Sequence, residues 1–285
     1  MERTIGNPIS WLAKHLGQTG AHMSNSVDHL GSDRATETPK VQQLDMSDLS
    51  AALRAGWQDF SACRSDAMAL VFLYPLIGLA MVVLSLSMDL LPLIFPLVMG
   101  FALIGPVAAV AFYEMSARRE AGFKPRWMDA FSVLRSPAFL SIVMLGLYLA
   151  ALFILWLMFA AAIYNRTLGP EPPSSLMAFA RDALMTGPGW AMILIGSTVG
   201  ALFAFAALAV SLVSFPLLLD RHTGLPVAVA TSLRVVRRNP MVTLAWGVIV
   251  GALLLIGALP MFAGMIVVIP LLGHATWHLY RRAVA

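Results

Sequence analysis

Charge is scarce in this sequence. Only 12% of its 285 residues are Asp, Glu, Lys or Arg, about half the share of a soluble domain. There is a single cysteine, Cys63, which excludes an intramolecular disulfide framework. No P-loop, dinucleotide fingerprint or Ser-His-Asp arrangement is evident, so the residues point away from an enzyme. No acidic or basic residue falls near the middle of a long apolar run. Charges inside a membrane usually mark proton or ion paths, and their absence argues against a proton-coupled carrier or pump.

What is present is apolar. Hydrophobic residues make up 59% of the chain and the mean hydropathy is +0.79, a surplus that must face lipid. The formal charge is +4. The basic residues sit in short loops between apolar runs, as membrane orientation signals do, which excludes a nucleic-acid footprint. Residues 1–46 differ in kind: polar, with few large apolar side chains and no signal-peptide pattern. They are expected to form a disordered polar cytoplasmic tail. His15, His22 and His29 recur every seven residues within it and read as solvated.

Residues 47–285 read as an all-α polytopic domain. A crossing helix needs about 20 apolar residues, which places spans near 68–87, 90–113, 138–164, 190–219, 241–259 and 261–280. The tight connections at Met88-Asp89 and Pro260 carry turn residues inside apolar stretches too long for one span, so a hairpin is expected at each. Charge fixes the orientation. With six spans, Arg54, Arg64, Arg118, Arg119, Lys124, Arg126, Arg135, Arg221, Arg234, Arg237, Arg238, Arg281 and Arg282 share one face, and Arg166 and Arg181 lie on the other. The basic face is expected to be cytoplasmic, with both termini there.

The cytoplasmic stretches end alike. Phe60-Ser61-Ala62-Cys63-Arg64-Ser65-Asp66-Ala67 precedes the first span, Phe131-Ser132-Val133-Leu134-Arg135-Ser136-Pro137-Ala138 the third, and Arg238-Asn239-Pro240 the fifth. Ser or Asn suits a helix amino-terminal cap and Pro the first turn. Upstream of each lies an amphipathic pattern: Leu49, Leu53, Trp57 and Phe60; then Trp127, Phe131 and Leu134; then Val229, Leu233 and Val236 opposite Arg234, Arg237 and Arg238. The expected unit is an interfacial helix, apolar face down on anionic headgroups, followed by a transmembrane hairpin, three times over. In the outer loop, Ser174 or Ser175 is placed to cap a short helix through Leu176, Phe179, Ala180 and Leu184.

Few residues carry candidate chemistry. His274 and His278 are one turn apart, a spacing that suits metal or haem ligation. No third ligand accompanies them, and the pair equally suits an interfacial anchor. No cofactor or metal is assigned. Glu114 and Arg118 form an acid-first i, i+4 pair at the inner end of the second span. With Asp220 and His278 they make a possible cytoplasmic rim. Gly105-Pro106 should kink the second span, a feature of some transport sites and more often a packing kink.

Gly100-Phe101-Ala102-Leu103-Ile104-Gly105-Pro106, leading into Tyr113-Glu114-Met115-Ser116-Ala117-Arg118-Arg119-Glu120-Ala121-Gly122, resembles the bacterial predicted integral membrane proteins of the domain of unknown function 2189 family. Ala55-Gly56-Trp57-Gln58-Asp59-Phe60 and Gly273-His274-Ala275-Thr276-Trp277-His278-Leu279-Tyr280-Arg281 are similar too. The resemblance implies a bacterial inner-membrane protein and supplies no activity. Three readings stay open. The first is a non-enzymatic scaffold or accessory factor, possessing a membrane protein partner. The second is a transporter or lipid-handling channel, and the third a haem-binding redox subunit. A hydrophilic cavity would favour the second, a solid apolar interior the first.

Overall fold

The computed structural model describes residues 39–63, 73–87, 90–124, 127–221 and 223–285. The expected features at Arg64 to Ala67, Met88-Asp89, Arg126, and residues 1–38 lie outside these, as do the side chains of Trp127 and Phe131. Within the described residues every extended element is helical, and the one β contact is an isolated bridge between Val41 and Val284.

Among the described residues, ten α-helices follow in order. They are α1 (Met46–Ala62), α2 (Leu73–Ser87), α3 (Ile94–Glu120), α4 (Phe139–Thr167), α5 (Leu176–Met185), α6 (Gly187–Ser211), α7 (Ser214–Arg221), α8 (Leu225–Arg238), α9 (Pro240–Ala258) and α10 (Met265–Ala283). Two 3-10 helices, Leu91–Leu93 and Trp127–Arg135, lie before α3 and before α4. Among the described residues, four stretches are long and apolar enough to cross a membrane: Leu91–Glu120, Phe139–Thr167, Gly187–Arg221 and Pro240–Ala258. A fifth apolar stretch, Tyr74–Leu86 within α2, is shorter. Leu79, Met158, Leu194, Leu202, Val248 and Ile256 are among their exposed apolar side chains, as lipid-facing helices require.

The long helices outrun the bilayer, and that overhang builds the charged end. At 1.5 Å per residue, α3 is about 40 Å long against a hydrocarbon core of about 30 Å. Its last turns, carrying Glu114, Arg118, Arg119 and Glu120, therefore project beyond the apolar zone. The Gly187–Arg221 stretch is longer still. It breaks at Leu212-Val213, so the expected fourth span of 190–219 is two helices, and α7 is buried from Ser214 to Leu219, with Asp220 and Arg221 exposed. Pro216 in the first turns of α7 has no N–H to miss there.

A helical element precedes each of α2, α4 and α9, and each is built differently. Asp45 caps α1, accepting from the N–H groups of Ser47 and Asp48, while the Asp48 carboxylate accepts from the Asp45 N–H, a reciprocal capping box. Leu49, Ala52, Gly56, Asp59 and Phe60 of α1 are buried, chiefly against α10, and Trp57 stays exposed. The α1 apolar face thus packs on protein more than on lipid. A Cβ at Gly56 would stand 2.6 Å from the Ala275 backbone nitrogen, so only glycine permits this approach. The second element is 3-10 rather than α, with the Ser132 hydroxyl turned back onto the Asp129 carbonyl.

Two helix starts depart from expectation. The Asn239 side chain does not cap α9. It accepts from the Leu44 N–H at 2.8 Å and donates to the Gln42 carbonyl at 3.1 Å. Those contacts correct the tail boundary: from Pro39 the chain is part of the fold. Gln42 N–H donates to the Ala283 carbonyl, Ala285 N–H donates to the Lys40 carbonyl, and Leu44 is buried. Polarity hid this, because the strap is held by backbone groups that any sequence carries. The Ser136 hydroxyl accepts from Ala138 N–H, but α4 begins past it without a side-chain cap. The loop before α5 matches its expected cap: Ser175 accepts from Ala178 N–H at 3.1 Å and opens α5. The apolar run also breaks around Pro260, between Ala258 and Met265. Phe262 turns there with φ 64°, a conformation costly for a bulky residue, and its ring lies against Gly78 of α2.

Candidate functional site

Three helices converge on one buried carboxylate. Asp59, 4% exposed, lies on the buried face of α1. Ser116 of α3 donates its hydroxyl to Asp59 Oδ2 at 2.6 Å, and His278 Nε2 of α10 stands 2.8 Å from the same oxygen. Arg119 pairs with Oδ1. His274, one turn before His278 and fully buried, places Nδ1 2.8 Å from Ser116 Oγ. A carboxylate can only accept, so the Ser116 proton goes to Asp59, and His274 must donate from Nδ1. That tautomer leaves His274 Nε2 as an acceptor, and it has no hydrogen-bond partner. The Phe112 ring meets the His274 ring edge-on, and a Cβ at Gly273 would stand 2.8 Å from Phe112 Cβ. Close helix packing thus sets the imidazole's position.

Burial raises the Asp59 carboxyl, but hydrogen bonds from His278, Ser116 and Arg119 outweigh it and hold Asp59 below the ordinary carboxylate range. The group is therefore ionised and paired. Acid, hydroxyl and imidazole are neighbours here, yet the hydroxyl sits between the other two. A nucleophilic triad needs the imidazole in the middle. Ser116, 1% exposed, also has no route to a substrate. The arrangement holds helices together and does not activate an oxygen.

A second network flanks the first. Glu120 of α3 accepts from the Trp277 indole at 3.0 Å and pairs with Arg281. Tyr280 donates to Asp220 of α7 at 2.5 Å, and Arg281 and Arg221 also approach Asp220. Arg282 pairs with Asp48 of α1 at 2.9 Å. A third network joins Glu114 to Arg118 at 2.7 Å, with Ser132 donating to Glu114 and Arg118 reaching Asp129. The four rim residues therefore occupy three separate networks: Glu114 with Arg118, Asp220 with Tyr280 and Arg281, and His278 with Asp59. His274 and His278 do not converge on a common point, since Ser116 and Asp59 take one nitrogen of each. Among the described residues no group of three or more His, Cys, Asp or Glu side chains is placed to hold a metal ion.

Asp59, Ser116, Arg119 and Glu120 all lie in the stretches that carry the family resemblance, but sequence reasoning gave none of them a site role. Asp59 carried a usable signal. It falls on the apolar stripe of α1, in register with Leu49, Ala52, Gly56 and Phe60, where a lone carboxylate needs a partner.

Away from the charged end lies an apolar cleft of about 390 Å³, walled by α3, α6, α9 and α10. Its hydroxyl-bearing lining residues, Tyr113, Ser211 and Thr276, lie toward the charged end.

Comparison with known proteins is sparse. No curated protein and no solved structure matches the chain. Ser116, Arg119 and Asp220 fall within the stretch that does find a family, while Asp59, His274 and His278 fall outside it. That stretch, residues 94–220, runs from the first residue of α3 to α7 and matches the family described as predicted integral membrane protein, DUF2189; with its long apolar helices, the chain is an integral membrane protein similar to that family.

Proposed function

We propose that this chain is a non-enzymatic scaffold or accessory factor of a bacterial inner membrane, presenting a rigid cytoplasmic face to a membrane protein partner. The observation that carries it is the Asp59 network. It ties buried polar groups of α1, α3 and α10 to one another, which favours a fixed platform over a polar path. In this reading α2 and α10 complete a set of six spans in three hairpins, with α1, the 3-10 segment and α8 at the cytoplasmic surface. Supporting the orientation, the basic carboxyl-terminal ends of α3, α8 and α10 gather on one side. Reporter fusions after Gly169 should then read as external, and those after Glu120 or at the carboxyl terminus as cytoplasmic. An external carboxyl terminus overturns the six-span count. A photocrosslinking residue at exposed Trp57 should trap a discrete protein adduct in cells; absence of any adduct overturns the partner.

A lipid-handling role is the second reading, favoured by the apolar cleft. The haem-binding reading rests on His274 and His278, whose contacts with Ser116 and Asp59 favour a structural role instead.

A further inference from the structure

The cleft between α6 and α9 must be filled by something in a membrane, because water is excluded there and an empty apolar slot forfeits dispersion contacts. From Met99 to Tyr113 on α3 it runs fourteen residues, about 21 Å at the helical rise. Its lining is mostly apolar, with the few hydroxyls toward the charged end, so hydrocarbon such as an acyl chain is the chemistry that fills it.

The charged end supplies chemistry for the rest of a lipid. Just before α9, Arg237 and Arg238 close α8, exposed and without an acidic partner among the described residues.

We propose that this cleft binds one anionic phospholipid of the cytoplasmic leaflet, its acyl chain lying between α6 and α9 and its phosphate on Arg237 and Arg238. The leaflet assignment rests on the proposed orientation, which the reporter fusions test separately; the site itself stands with or without a scaffold role.

Trp246 lines the cleft and is 1% exposed, so it reports occupancy. The full chain is reconstituted into phosphatidylcholine vesicles containing increasing fractions of phosphatidylglycerol brominated along its acyl chains. Quenching is read as the difference between the unaltered chain and Trp246→Phe. The expected result is Trp246-dependent quenching that saturates at low phosphatidylglycerol fraction. Gly251→Leu should abolish it, since a Cβ there meets nothing within 4 Å and the side chain enters open space. Gly105→Leu, equally open, replaces it if the first variant does not fold. Arg237→Gln with Arg238→Gln should raise the half-saturating fraction about thirtyfold, given about 1 kcal/mol per basic residue at an anionic surface. Quenching that rises without saturation, is equal with brominated phosphatidylcholine, or persists when the cleft is filled overturns the proposal.

Discussion

The charged end and the α9 side of the bundle are held by different forces. At the charged end, α1 packs on α10 so closely that Gly56 admits no side chain, and Asp59 ties α1 to both α3 and α10. On the other side, Pro240–Ala258 is only 22% buried over its apolar window, and its contact with α6 is interrupted by the cleft. Water explains the contrast. Near the interface, removing helices from water gives hydrophobic stabilisation and makes each unpaired polar group costly. Within lipid the hydrophobic effect no longer drives helices together, and packing and small residues decide contact. A helix such as α9 is then held loosely, and lipid can complete its packing.

The largest effect should come from breaking the carboxylate hub. Asp59→Ala leaves Arg119 and His278 without their acceptor and should destabilise the chain by about 3 kcal/mol. Released from α10, α1 would become a protease target. A lowered unfolding temperature in detergent, with faster tryptic cleavage after Arg54, checks this. Undiminished protection would show that apolar packing alone holds α1. Acid should do the same reversibly. Asp59 is held below its ordinary range, so its contribution is complete at neutral pH and is lost as pH falls through its folded-state value. Cleavage of α1 by pepsin, which is active in acid, should therefore rise on acidification below the carboxylate range more steeply in the unaltered chain than in Asp59→Ala, where the Asp45 cap still titrates.

A smaller loss is expected at the strap. Asn239→Ala removes the acceptor for the buried Leu44 N–H and the donor to Gln42, at a cost of about 1–2 kcal/mol. It should also speed amide exchange at residues 40–44. Deleting residues 1–38 should leave both unfolding temperature and exchange unchanged, whereas deletion through Asp45 should lower stability by removing the strap and the α1 capping box together. Equal effects from the two deletions would show that the strap contributes nothing.

What could be read from the sequence follows the range of the interactions. The apolar character of the helices, the Ser175 cap and the break near Pro260 depend on neighbours in the chain, and each was legible. The Asp59 network joins residues 57, 158 and 219 positions apart, and no spacing rule reaches that far. Asn239 shows the same limit from the other side. Its position before Pro240 suits a cap, but a tertiary donor nearly 200 residues away, Leu44 N–H, takes its side chain.

The smallest effect is expected at Glu114 and Asp220. Arg118 and Arg281 beside them are about a third or more exposed, and water screens such pairs to at most about 1 kcal/mol each. Glu114 also keeps Ser132 as a donor, and Asp220 keeps Tyr280. The amides of Glu114→Gln and Asp220→Asn can still accept from those hydroxyls. The double variant should therefore accumulate to normal amounts, with an unfolding temperature within a few degrees of the unaltered chain. It separates two roles for the rim. If the acids only fix where helices leave the membrane, cellular phenotype is preserved along with amount. If they line a vestibule with His278, amount is preserved but phenotype is lost, although the three residues sit in separate networks. Because Asp59→Ala perturbs α1 and this double variant does not, comparing the two strains assigns any lost phenotype to the platform or to the charges on its rim.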